Sequence, residues 1–192
     1  MEAVALLRNR IAAVGANTRG MFAAATGLDW VTPLLPGTSP LGLTFWHLPR
    51  TVDWLINTSV RGQAEVVDDP AFADLPDPDE FGFGTGLSPE RAADAASRVR
   101  APMLAAYSEA VHAMADDWLA ALSPEQLYDV VPDFMDRQRA RPAYCTDDAL
   151  AEVTGVAGLP LGILLSRPAM AHLMMHTGEI GLILQLVARP DT

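Results

Sequence analysis

Residues 166–186 read SRPAMAHLMMHTGEIGLILQL, and this segment decides how the rest of the chain is read. Ser166 resembles an N-cap, and Pro168 falls early, where a missing N–H costs a helix little. The pattern then runs to Leu186 without another proline. His172 and His176 stand four apart and Glu179 follows three later, so a helix puts all three on one face. Their neighbours are apolar: Met170, Leu173, Met174, Met175, Ile180 and Ile183. Two imidazoles directed into such surroundings need a partner, and a metal ion supplies one.

Outward from this segment the chain offers three more long helical patterns. Over 2–26, Val4, Leu7, Ile11, Val14, Met21, Phe22 and Ala25 fall near helical spacing and Gly27 closes the run. Gly15 and Gly20 leave it open to a break near Asn17. The turn TPLLPGTSP then offers Thr38 or Ser39 as cap and Pro40 as first residue of a second helix, expected over 40–60. Pro49 inside it removes a bond to the carbonyl of Phe45 and predicts a bend beside His47. Ser88-Pro89-Glu90 opens a third helix, expected to reach Leu122 with a kink at Pro102.

Between the second and third helices, 62–87 is acidic and rich in Pro and Gly. It reads either as a solvated crossover or as a lid carrying Phe72, Phe81 and Phe83. Gly82, Gly84 and Gly86 imitate a phosphate-binding fingerprint but lack the strand and βαβ frame that give one meaning. After the third helix come a short helix from Ser123-Pro124-Glu125-Gln126, an irregular 133–143, a helix over 147–154, and an ambiguous 156–165. No strand alternation or fixed repeat shows. The expectation is an all-α chain, one domain over 1–192. Its predicted form is a four-helix bundle with a long crossover loop and short extra helices between helices three and four.

Half of the 192 residues are hydrophobic, enough for a core, and no apolar run is as long as a membrane span. One cysteine rules out an internal disulfide framework, and MEAVALLRNR does not read as a signal peptide; a cytoplasmic protein is expected. Net charge of −11, with Arg137, Arg139 and Arg141 diluted by nearby acids, argues against nucleic acid. All 13 basic residues are arginine, which reads as the imprint of a GC-rich genome.

Of the four histidines, His172 and His176 form a two-point face for a transition metal. His47, among Phe45, Trp46, Leu48 and Trp54, is the stronger candidate for a third ligand. His112 reads instead as a helix-surface or core residue. Three protein ligands leave open positions on an ion, the form of a catalytic site. Three imidazoles suit Zn, Ni, Cu or Fe, with Zn and Ni placed first. Glu179 reads either as a group that orients an imidazole or moves a proton, or as a carboxylate at the rim. Arg50 either holds an anionic substrate group or pairs with Asp53. Cys145 precedes a helix start but has no nearby histidine, and reads as inert.

PGTSPLGLTFWHLPRTVDWLIN, followed after a long middle by HLMMHTGEIGLIL, resembles the DinB/YfiT-like superfamily. It is also similar to the metal-binding domain of the mycothiol-dependent maleylpyruvate isomerase family. The resemblance implies a four-helix bundle holding a divalent ion on His47, from the second helix, and on His172 and His176, from the fourth. It further implies chemistry with a low-molecular-weight thiol, S-transfer or cis–trans isomerisation of a small electrophile. With the arginine bias, the resemblance makes mycothiol the expected thiol, and a homodimer is implied by the resemblance as well. The rival expectations are a metal-dependent hydrolase and a non-catalytic metal- or ligand-binding stress protein.

Overall fold

The computed structural model describes residues 3–188, and among these the chain is all-helical, with a single isolated antiparallel bridge between Val130 and Pro160. The first long helix, α1, is Ala3–Ala24. It runs unbroken through Gly15 and Gly20, so the break left open near Asn17 is absent. Tertiary packing outweighs the weak helix propensity of glycine here, because Gly15 is itself a contact point (below).

The second, α2, is Leu41–Asp53, and it continues as a π-helical turn over Trp54–Arg61. Every residue of α2 is buried, His47 and Arg50 included. A helix enclosed on all sides reads as a central element, and the others pack around it.

The expected third helix is two. α4 (Pro89–Arg98) and α5 (Ala101–Ala120) are separated by Val99 and Arg100 in extended conformation. Pro102 explains the break. In a continuous helix its ring would meet the carbonyl of Arg98, and its missing N–H would leave that carbonyl unpaired. As the second residue of α5 it costs little.

Residues 62–87 are folded against the helices rather than running as a solvated crossover. Short turns over Val66–Asp68 and Pro70–Phe72, then α3 (Pro78–Phe81), fold them onto α2 as a strap. Phe81 and Phe83 are buried, and Phe72 packs its ring against Tyr107 at 5.3 Å. The strap is tied down by Asp53, which accepts the backbone N–H groups of Val66 (2.9 Å) and Val67 (3.1 Å).

Beyond α5 lie a 3-10 turn over Glu125–Tyr128, then α6 (Phe134–Arg137) and α7 (Asp147–Thr154). Gln126 accepts the backbone N–H of Ser123, and the Thr146 side chain caps α7 by accepting the backbone N–H of Ala149. The last helical run starts earlier than expected. α8 (Leu161–Ser166) passes into a π-helical turn over Arg167–His172 and then α9 (Leu173–Val187). Ser166 is therefore not a cap; its hydroxyl donates back to the carbonyl of Ile163 at 3.1 Å. Pro168 sits inside the run, where its absent N–H loosens the α-helical ladder into the wider turn. α1 and α2 each pack against both α5 and α9, so α2 and the last helical run meet along one seam. Among the described residues no helix is long and apolar enough to cross a membrane.

Candidate metal centre

The seam between α2 and the last helical run gathers His47, His172 and His176, with one ring nitrogen of each within 4.8 Å of the others. His47 Nε2 lies 2.9 Å from His172 Nε2. Ring centroids are 4.6 to 5.2 Å apart, and the rings stand nearly perpendicular to one another. His47 is almost fully enclosed at 6% exposure, while His172 and His176 are half-buried.

Each outer ring nitrogen that has a partner fixes its tautomer. His47 Nδ1 is 2.5 Å from the carbonyl oxygen of Phe83, so it donates there and leaves a lone pair on Nε2. His176 Nδ1 is 3.0 Å from Glu179 Oε2 and donates to that carboxylate. Its Nε2 is free in the same way. Burial, with the neighbouring His176, pushes the His47 pKa down to about 3 and the His172 pKa to about 4. These imidazoles are neutral near pH 7. Ring nitrogens converging from two helices, with the His47 ring fixed by a carbonyl and the His176 ring by a carboxylate, make a donor set that fits a divalent transition ion.

The carbonyl that orients His47 comes from the strap, and glycines make its path. Gly82 has φ 60° and ψ −130°, a region essentially reserved for glycine, and Gly84 has φ +94°. A Cβ on Gly84 would come into contact with His47 Nδ1 and Trp46 at 3.4 Å, so the positive φ is what calls for glycine. The glycine series that imitates a phosphate loop is thus the backbone device that carries the strap past a histidine.

Arg50 does not reach the site. Its guanidinium is wholly buried and spent on protein groups: Asp53 at 3.2 Å, Glu65 at 2.8 Å, and the hydroxyls of Tyr107 at 3.0 Å and Tyr144 at 2.5 Å. Glu65, the tyrosines and Asp53 hold its pKa well above the ordinary value even though burial opposes this. Of the two readings of Arg50, the ion pair with Asp53 is the one observed, enlarged into a network that anchors the strap. Glu179 bonds the ring of His176, and so is more than a rim carboxylate. His112 lies elsewhere, on α5, where Nδ1 donates to the carbonyl of Ser108 at 2.7 Å. Burial lowers its pKa. Cys145 is exposed and its thiol faces the carbonyl of Gln138.

Two cavities open onto the histidines, of about 340 Å³ and about 310 Å³. His47, His172 and Glu152 line both, so the cavities meet at these residues. The first is walled by Trp54, Phe83, Val153, Val156 and Pro168, with Arg167 at its edge. The second carries Ser39, Thr44, Thr85 and Glu179. Glu152 and Arg167 are missed by sequence reasoning. Glu152 sits on the short α7 with no motif around it, and Arg167 lies on a π-helical turn that hydrophobic periodicity does not mark. No family model and no curated protein matches this chain.

Proposed function

We propose that this chain is a DinB/YfiT-like four-helix bundle in which His47, His172 and His176 hold a divalent ion, Zn or Ni, for thiol-dependent S-transfer or isomerisation of a small electrophile. The observation that carries the reading is the 2.9 Å approach of His47 Nε2 to His172 Nε2, with the outward nitrogens of His47 and His176 already committed to Phe83 and Glu179. A divalent ion bound only by neutral imidazoles keeps its full charge and favours the deprotonated form of a coordinated thiol or water. The protein supplies the rest. Glu179 and the Phe83 carbonyl fix the rings, and the apolar wall of the first cavity offers a surface for an apolar substrate body. Glu152, present in both cavities, takes the proton released by an incoming thiol. The hydroxyls of Ser39, Thr44 and Thr85 suit the polar body of such a thiol, mycothiol by expectation, in the second cavity. Hydrolysis is the second reading, because Glu152 beside an open face would serve water as base equally well.

The test has two stages. Metal analysis after purification without chelators, alongside His47→Ala, His172→Ala and His176→Ala, is expected to find about one ion per chain in the wild type and none in the variants, with helicity by circular dichroism retained. Absence of bound ion from the wild type overturns the reading. The metal-loaded protein is then incubated with a thiol and monochlorobimane, and separately with 4-nitrophenyl acetate. Faster S-conjugation supports transfer, and thiol-independent ester cleavage supports hydrolysis. Silence in both leaves a binding protein.

A further inference from the structure

The first cavity has one cation on its lining, Arg167, and that arginine has no ion-pair partner among the described residues. Arg167 is exposed, and Arg10, Arg19, Arg61, Arg91, Arg100 and Arg137 likewise lack an acid partner; what sets Arg167 apart is its place on the cavity lining beside His172. The backbone explains how Arg167 comes to face the histidines. In an α-helix, residues five apart point about 140° away from each other. In a π-helical turn, bonded from i to i+5, they lie much nearer one face. Arg167–His172 is such a turn, and Arg167, Pro168, Ala171 and His172 line the same cavity. Glu152, His47 and His172 mark the end where the two cavities join, whereas Arg167 lines only the first. The positive group therefore shares the first cavity with the apolar Trp54, Phe83, Val153 and Val156.

We propose that Arg167 is the anion-holding residue of this site, and that the first cavity takes a small, largely apolar molecule carrying one carboxylate. The guanidinium grips the carboxylate and the apolar body lies along the wall, its reactive end toward His47 and His172. A cavity of about 340 Å³ holds a molecule of benzoate size with room for a substituent. Arginine offers a planar fork of donors that matches a carboxylate in two bonds. The assignment rests on the reading of the histidines as the reacting centre and adds the substrate class.

The probes are 4-nitrobenzoate and its neutral counterpart, 4-nitrobenzamide, titrated into the full chain both zinc-loaded and after chelation. Chelation removes the attraction of the ion for carboxylate and isolates the contribution of Arg167. In the chelated wild type the acid is expected to bind at least tenfold more tightly than the amide. That preference disappears in Arg167→Gln and returns in part in Arg167→Lys, while both variants retain zinc. The proposal is overturned if the wild type binds neither probe, if it binds both equally, or if Arg167→Gln keeps the preference. A failure of the metal reading shows separately, as a wild type that holds no zinc while still choosing the acid over the amide.

Discussion

Glu179 and Arg50 are both charged residues near the histidines, and they act through different physics. Glu179 is half-buried and bonded to His176 Nδ1, so its effect passes through one ring. Glu179→Gln removes the charge and half of the acceptor capacity while keeping the shape. Such partners of a ligating histidine typically contribute 10–100-fold to metal affinity. The Zn affinity of Glu179→Gln, measured against a chromophoric chelator, is therefore expected to fall by about that factor with the thermal midpoint of the metal-free protein unchanged. Arg50 is a matter of stability. Arg50→Met leaves Asp53 and Glu65 buried without their shared cation. Breaking a buried pair in this way costs about 3–5 kcal/mol. A fall of that size is expected in urea denaturation of the metal-free chain, and a change below 1 kcal/mol would show that the buried acids find other partners.

Between elements, the contact of α1 with α5 turns on one small residue. A Cβ added to Gly15 would stand 2.6 Å from His112 Cδ2, and that ring is fixed through Ser108. Although alanine favours helix, Gly15→Ala is expected to destabilise by about 1–3 kcal/mol through overpacking. The double variant with His112→Ala should recover part of that loss in the same denaturation assay. The outlines of α1, α2 and α7, and the all-helical class, were legible because apolar spacing, caps and prolines record local preferences. So were the three histidines that meet, since a four-residue spacing on a helix is a local fact and His47 stood among large apolar residues. Hidden were features set by distant contacts. Pro102 gave a break where a kink was expected, because Val99 and Arg100 could be extended without losing the packing of α4 and α5. The strap looked like loop because its order comes from Arg50 and Asp53, remote in sequence from Glu65 and Tyr144. The π-helical turns at Trp54 and Arg167 leave no mark in hydrophobic periodicity, and the place of Arg167 went unseen with them.

For the molecule as a whole, the candidate centre joins α2 to the last helical run, two segments otherwise held together by packing alone. An ion that binds only the folded arrangement stabilises it by mass action, about 2.7 kcal/mol at a free concentration one hundred times its dissociation constant. Zinc is expected to raise the thermal midpoint of the wild type by several degrees, reversibly on chelation, and to leave His47→Ala unmoved. A midpoint indifferent to zinc would mean that the rings do not close on a shared ion. His47 and His172 lie 125 positions apart in the chain. During translation, then, a polypeptide that has emerged through Tyr144 already owns every member of the buried arginine network yet carries a single imidazole of the candidate centre, His47. Cation capture would come only once the closing helix clears the ribosomal tunnel, making it a late event in the birth of the protein and a signal that synthesis has passed residue 176.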